Sequence, residues 1–101
     1  MSISLSQDIF KAIPSPCFVL EEEKLRRNLE RLDSVQKNVQ ISIILALKGF
    51  AMWSSFPLVK SFLKSAAASS MNEAKLCVEK FNALAHTYAV GYRDDEFDEL
   101  M

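Results

Sequence analysis

Glycine, proline and cysteine are scarce in this sequence, and long hydrophobic runs are absent. Its 101 residues include only two Gly, three Pro and two Cys. The glycines match neither the GxGxxG nor the P-loop phosphate motif, so a dinucleotide- or ATP-binding fold has no support. Charged residues interrupt the apolar stretches well before the roughly 18 residues that a membrane-spanning helix requires. We therefore expect no membrane partner.

Cysteine and charge usage exclude further classes of protein. Cys17 and Cys77 lack CxxC or Cys/His spacing, so we expect two reduced thiols, no disulfide and no zinc site. With 12 basic and 13 acidic residues and no basic block, the chain lacks the electrostatic footprint of a nucleic-acid-binding protein. Residues 1–10 do not form the basic start and long apolar segment of a secretory signal. We therefore expect a cytoplasmic protein that binds no nucleic acid.

Residues 1–38 form the first predicted unit, an N-terminal extension with a short strand and an amphipathic helix. Prolines at 14 and 16 favour extended backbone, and the apolar residues 17–20 are a strand candidate. Glutamates at 21–23 favour a helix start, and the helix should continue to about Asn38. One face should be a buried stripe and the other should hold i,i+4 ion pairs. The stripe is Leu25, Leu29, Leu32 and Val35, and the pairs are Glu22/Arg26, Glu23/Arg27 and Arg26/Glu30.

Residues 39–101 form the second predicted unit, in which strands and helices alternate. Strands are predicted at 41–47, 66–69 and 85–90, and helices at 54–64, from 71 onward and at 93–101. Ser70 and Glu73 form a predicted capping box. Such alternation implies right-handed βαβ crossovers and a parallel sheet. The predicted fold class is α/β, and the N-terminal part of a (β/α)8 barrel, with about three βα units, fits better than a Rossmann sheet.

Lys48 is the residue on which a functional hypothesis rests. It follows the apolar run directly and precedes Gly49, so its amine lies at the carboxyl end of a predicted buried strand, where barrel enzymes hold their catalytic residues. A lysine forms a Schiff base when its amine lies near a carbonyl and loses its proton, which an apolar site promotes. Gly49 would leave room for a bulky cofactor. From this local pattern alone, a lysine that merely extends its amine into solvent is the more frequent case.

Five blocks of sequence, in order, resemble one family. They are residues 14–20, residues 45–50 around Lys48, residues 66–70 with Glu73, residues 86–88 and residues 92–96. Together they resemble the carboxynorspermidine/carboxyspermidine decarboxylases, pyridoxal-phosphate enzymes of the alanine-racemase-like barrel class. The resemblance covers practically the whole chain after about residue 12.

The resemblance implies a function, a cofactor and a site. Lys48 matches the lysine that binds pyridoxal 5'-phosphate covalently, and it is the one predicted catalytic and cofactor-binding residue. The family decarboxylates carboxynorspermidine or carboxyspermidine in polyamine biosynthesis, and the cofactor carries the difficult step. A small carboxylated polyamine would be the substrate, and a homodimer is expected of the full-length family. No metal is expected.

The chain is much shorter than such an enzyme. An eight-stranded barrel alone takes about 250 residues, and the family adds a C-terminal β-domain. We therefore expect an N-terminal fragment that is inactive alone, without the family's ring-stacking histidine and phosphate loop. His86 does not match that stacking position and is interpreted as structural, as are Trp53, Tyr88 and Tyr92.

Two other interpretations stay open. One is a free-standing, non-catalytic α/β module that binds a partner through its open sheet edge, although such an edge favours aggregation. The other is a related racemase or decarboxylase with the same fold and lysine. Relatives of that kind usually continue from the lysine with Ala-Asn, whereas Gly49 and Phe50 follow it here.

Overall fold

A sheet of three short strands and the helices between them make up the computed structural model, which describes residues 7–101. In chain order the elements are α1 (Gln7–Ala12), α2 (Glu22–Val39), β1 (Leu45–Ala46), a 3₁₀ turn (Trp53–Ser55), α3 (Phe56–Lys60), β2 (Ala66–Ala68), α4 (Met71–Leu76), a π-helical turn (Cys77–Phe81), β3 (Ala85–Thr87) and α5 (Asp94–Leu100). The strand order β1-β2-β3 follows the chain, and both pairings are parallel. The predicted α/β class and parallel sheet are confirmed.

The register of the sheet is set by two ladders. Leu45 and Ala46 lie opposite Ala66 and Ala67. The second ladder aligns the three residues of β2 with the three of β3, and its central pair is Ala67 with His86. Residues 46, 67 and 86 therefore form one row across the sheet, and they share a face because paired residues point the same way.

The hydrophobic core lies between the sheet and the helical segments that connect its strands. Phe56 and Phe81 are fully buried, and their rings pack edge to face with 5.2 Å between centroids. Ala66 and Ala68 of β2 are also fully buried. Alanine is a weak strand former, so the strand at 66–68 is stabilised by burial against the core more than by its own propensity.

Helix α2 agrees with its predicted bounds, but its apolar stripe is only partly covered. Leu29 is buried and Leu25 packs against the core, whereas Leu32 and Val35 are exposed. No element among residues 7–101 covers that end of the stripe. Of the three predicted ion pairs, Glu22 with Arg26 is the one found within that range, at 3.8 Å.

The N-terminal segment differs from its prediction. Residues 17–20 lie outside any strand, because no strand among the described residues pairs with them. Helix α1, which the sequence pattern does not predict, precedes them, and none of its residues is buried. The predicted short strand at 17–20 is therefore wrong.

Strand β1 is shorter than predicted because Gln36 binds the chain that precedes it. The amide of Ile41 donates to the Gln36 carbonyl oxygen at 3.2 Å. The amide of Ile43 donates to Gln36 Oε1 at 2.7 Å. These amides are thus used at the end of α2, and the sheet pairing begins at Leu45.

Strand β3 ends at Thr87, three residues before its predicted end. Its last ladder bond runs from Tyr88 N to Ala68 O at 3.0 Å. Its partner β2 leaves the sheet there, because Ser70 begins the turn into α4. The chain beyond Tyr88 consequently has no strand beside it within residues 7–101.

The predicted helix starts are confirmed, but two helices are shorter or less regular than predicted. Pro57 falls in the first turn of α3, and that helix ends at Lys60. The Ser70 hydroxyl accepts from the Glu73 amide at 3.1 Å, as the capping box predicts. Helix α4 then widens into the π-helical turn, which ends at Asn82 with a φ of 58°.

The side chain of Gln36 connects three segments of the fold. Besides accepting from Ile43, it donates from Nε2 to the Phe62 carbonyl oxygen at 3.1 Å and to Asp33 Oδ1 at 3.2 Å. The end of α2, the entry to β1 and the chain after α3 are therefore held together by one amide group.

We predict that Gln36→Met lowers the free energy of unfolding by about 1–3 kcal/mol, because it leaves the Ile43 amide and the Phe62 carbonyl without their partner. Asn38→Ala is the control, since Asn38 is exposed on the same helix. Urea unfolding of both variants measures the difference. Equal losses of stability in the two variants would contradict the role of Gln36 in holding the three segments together.

The two cysteines occupy different environments. Cys17 is exposed, whereas Cys77 is buried and donates from Sγ to the Ala83 carbonyl oxygen at 3.4 Å. Burial raises the pKa of the Cys77 thiol. Both are free, as predicted.

We predict that iodoacetamide alkylates Cys17 rapidly and Cys77 only when the protein unfolds, because the thiolate is the reactive form and Cys77 is both inaccessible and harder to ionise. Mass spectrometry of the two cysteine-containing peptides, with and without urea, measures the rates. Comparable rates in the folded protein would contradict the burial of Cys77.

Candidate functional site

Lys48 lies at the carboxyl edge of the sheet, in a turn that closes directly after β1. The amides of Gly49 and Phe50 both donate to the Ala46 carbonyl oxygen, at 2.9 and 3.2 Å. Leu47 still donates to the Ala67 carbonyl oxygen at 3.2 Å and is buried, whereas Lys48 is exposed. The predicted position of the lysine at a strand end is confirmed, although the strand that delivers it is short.

The two faces of the sheet differ in what covers them. Ala66 and Ala68 point into the core, and Thr87 borders a groove formed with α4 and α5. Ala67 and His86 alternate with these residues, so they lie on the opposite face. Ala46 and His86 are exposed there, and no helix among the described residues covers this open face.

The open face presents a floor of small side chains below the edge that carries Lys48. Ala46 and Ala67 occupy adjacent positions of the row that ends in His86. Neither Lys48 nor His86 makes an ion pair or a side-chain hydrogen bond within the part of the chain that the structure describes. His86 thus lies on the open face, and Lys48 follows Ala46 of that face at the carboxyl edge, with only Ala67 between Ala46 and His86 in the row.

Gly49 is not required by the backbone of this turn. It does not adopt a positive φ, and a Cβ there would lie 3.5 Å from the Ala46 carbonyl oxygen, an ordinary contact. The room that Gly49 would leave for a cofactor stays a prediction.

A cleft of about 560 Å³ adjoins the turn that holds Lys48. One wall is the extended segment with Phe18, whose side chain is 96% exposed, and the other is the loop that follows Lys48. Trp53, the first residue of the 3₁₀ turn after that loop, contacts Lys80, whose Nζ lies 4.7 Å from the ring centroid. The cleft is lined mainly by apolar side chains, so it suits an apolar group more than a charged one.

Residues 7–101 contain no group of three or more His, Cys, Asp or Glu side chains arranged to hold a metal ion. Within the same range, no helix has both the length and the apolar character needed to cross a membrane.

Sequence patterns alone miss the relation between His86 and Lys48. Alternation along 85–87 shows that His86 differs in direction from its neighbours, but only the register across β2 tells which face it shares.

Tyr92 packs edge to face on Phe97 at 5.9 Å, which agrees with its structural interpretation. Tyr88 is 78% exposed and has no such packing partner among residues 7–101.

The fold and the position of Lys48 define an α/β protein with a lysine at the carboxyl edge of a parallel sheet, where α/β enzymes commonly bind their ligands. Comparison with known proteins narrows this class. No protein-family model matches the chain.

Three curated relatives are decarboxylases. The chain is 46% identical over 90 residues to the carboxyaminopropylagmatine decarboxylase of Synechocystis sp., which covers 89% of the chain and 23% of the relative. It is 37% identical over 91 residues to the carboxynorspermidine/carboxyspermidine decarboxylase of Campylobacter jejuni, covering 90% of the chain and 24% of the relative. The corresponding enzyme of Herminiimonas arsenicoxydans is 36% identical over 89 residues, covering 88% of the chain and 24% of the relative.

A solved structure agrees with these relatives. The carboxynorspermidine decarboxylase of Campylobacter jejuni, crystallised with norspermidine, has a TM-score of 0.83 and 39% identity, over 87% of this chain and 24% of that one. The chain is therefore homologous to the carboxy(nor)spermidine decarboxylases, an enzyme family, and this confirms the resemblance found in the sequence. It spans about a quarter of the length of these relatives.

Neighbouring alanines of β2 test the assignment of the two faces. We predict that Ala68→Leu lowers the free energy of unfolding by about 1–3 kcal/mol, because the added carbons overfill a packed core. Ala67→Leu is the matched control and should cost clearly less, since its side chain lies on the open face. Urea unfolding of the two variants measures both values, and a larger loss for Ala67→Leu would reverse the assignment.

Proposed function

We propose that the chain is the lysine-bearing first part of a pyridoxal-phosphate-dependent decarboxylase that converts carboxynorspermidine or carboxyspermidine to norspermidine or spermidine in polyamine biosynthesis. The observation that supports this most is Lys48, exposed at the carboxyl edge of a parallel sheet in a chain homologous to the carboxy(nor)spermidine decarboxylases. Lys48 would be both the cofactor anchor and a catalytic residue.

The described residues suit the aldehyde and the aromatic ring of the cofactor. An aldehyde requires an accessible primary amine, and Lys48 is exposed with no ion pair among residues 7–101. A planar ring requires a flat surface, which the alanines at 46 and 67 offer beside the lysine. A phosphate group requires several converging N–H donors. The sequence has only two glycines and no phosphate-binding motif, so the phosphate would be held elsewhere in the enzyme.

Lys48 would have two tasks in the reaction. Its Nζ would hold the cofactor covalently through the aldehyde, at the edge of the sheet. When bound, the cofactor supplies an acceptor for the electron pair left by departing carbon dioxide. Once Nζ is released, it is an amine able to hold or move a proton at this site.

The unpaired edge of β3 and the open face of the sheet support a larger assembly. We propose that these residues begin an eight-stranded barrel, in which the further strands continue from β3 and cover the open face. The complete enzyme would be a cytoplasmic homodimer. The isolated 101 residues would be inactive, because the groups that bind the phosphate and the substrate would lie outside them.

Two kinds of carboxylated amine, the carboxylated (nor)spermidines and carboxyaminopropylagmatine, are candidate substrates. The relative with 46% identity acts, by its name, on carboxyaminopropylagmatine, whereas those with 36% and 37% identity are named for carboxynorspermidine and carboxyspermidine. Carboxyaminopropylagmatine is therefore the second candidate substrate.

We predict that the complete gene product, loaded with pyridoxal 5'-phosphate, releases carbon dioxide from at least one of these three substrates, and that Lys48→Ala abolishes the release. The ratios of kcat/KM among the three identify the substrate. Lys64→Ala is the control and should retain activity, because it removes an exposed lysine from the segment that connects β1 to β2. Undiminished decarboxylation by Lys48→Ala would refute the catalytic role.

The isolated chain provides a separate test. We predict that purified residues 1–101, given the cofactor and each substrate, release no carbon dioxide above the cofactor alone. Release that disappears in Lys48→Ala would show instead that these residues are sufficient for catalysis.

A further inference from the structure

The register of the strands brings His86 onto the open face of the sheet, and Lys48 lies at the carboxyl edge of that sheet. His86 ends the row formed with Ala46 and Ala67, and it is exposed. The next residue, Thr87, borders the groove against α4 and α5, which fixes the opposite direction for His86. The imidazole is therefore available on the open face, two positions along the chain direction below the level of Lys48.

The separation between the two residues suits a ligand that spans them. Neighbouring strands lie about 4.8 Å apart, so the Cα atoms of Ala46 and His86 are separated by roughly 10 Å. Lys48 follows Ala46 at the strand end, and only Ala67 lies between in the row. A lysine side chain extended by an aromatic ring could cross that alanine floor and bring a ring substituent to the imidazole.

We propose that His86 is a cofactor-binding residue that donates a hydrogen bond to the phenolic oxygen of the pyridoxal ring attached to Lys48. The role of His86 rests on the proposed function, since it requires the cofactor to be held at Lys48. Neither side chain has another hydrogen-bond partner among residues 7–101, so the bond replaces no contact described there.

The phenolic oxygen suits His86 better than the phosphate does. That oxygen and the phosphate arm are on the two ring carbons that flank the one bearing the aldehyde, so the two groups differ in the number of donors they need more than in their distance from Lys48. One donor satisfies the phenolic oxygen, whereas a phosphate is usually bound by several N–H groups. His86 is the one residue of its row with a side-chain N–H donor, because the other two are Ala46 and Ala67.

The experiment compares two aldehydes on the complete gene product freed of cofactor. The probes are pyridoxal 5'-phosphate and its 3-deoxy analogue, which lacks only the phenolic oxygen. The absorbance change on covalent attachment gives a dissociation constant for each. We expect His86→Ala to weaken binding of pyridoxal 5'-phosphate about tenfold, the size of one hydrogen bond to a charged oxygen. Binding of the 3-deoxy analogue should be unchanged.

Two further variants separate this contact from a general effect on the fold. His86→Gln retains an N–H donor and should recover part of the lost affinity for pyridoxal 5'-phosphate. Thr87→Ser, on the helix-covered side of the same strand, should bind both aldehydes as the unaltered protein does. Thermal unfolding of each variant shows whether the sheet is intact.

Unchanged binding of pyridoxal 5'-phosphate by His86→Ala would overturn the assignment. Equal weakening of both aldehydes would also overturn it, since the effect would then not depend on the phenolic oxygen. If neither aldehyde attaches to Lys48 in the unaltered protein, the proposed function fails together with the role of His86. Attachment at Lys48 without any effect of His86 rejects the role of His86 alone.

Discussion

The parallel hydrogen-bond ladder that joins the three strands is the interaction on which the rest of the structure depends. Leu45 N donates to Ser65 O, Leu47 N to Ala67 O, and Tyr88 N to Ala68 O, at 3.0–3.2 Å. Parallel pairing brings the carboxyl ends of all three strands to one edge of the sheet. Residues distant in sequence are thereby brought to one region of the sheet. Lys48, which follows β1, and His86 of β3 are the two such residues that bear on the proposed function.

The alanines of β2 make this arrangement possible from both sides. Ala66 and Ala68 let the helical connections approach the sheet closely enough to bury Phe56 and Phe81. Ala67, between them, leaves the opposite face flat. A larger residue at 66 or 68 would force the helices away, whereas a larger residue at 67 would fill the space between Ala46 and His86 on the open face. The same short strand therefore serves the core on one face and the candidate site on the other.

The sequence predicts the order of strands and helices well, because the burial pattern and the helix starts are local signals. Ser70 with Glu73 and Pro57 mark their helix starts correctly. Strand lengths are predicted poorly, since they depend on partners. Ile41 and Ile43 favour a strand by propensity, yet the side chain and carbonyl of Gln36 take their amides. Residues 17–20 have strand propensity but no neighbouring strand among those described.

The candidate site, too, is predictable from local sequence signals only in part. Lys48 is identifiable because its neighbours in sequence form an apolar run and because the surrounding blocks resemble a known family. His86 has no such local signal, and its relation to Lys48 follows from a register across two ladders that residue patterns do not specify. Sequence motifs and propensities therefore identify Lys48 as a candidate, whereas the pairing of the strands is needed to relate His86 to it.

Lys48 is the proposed attachment point of the proposed cofactor. Borohydride reduction of the complete gene product loaded with pyridoxal 5'-phosphate, followed by peptide mapping, tests this proposal most directly because reduction makes the attachment permanent. We expect a pyridoxyl label on Lys48 at about one per chain. A label at another lysine, with Lys48 unmodified, would contradict this proposal.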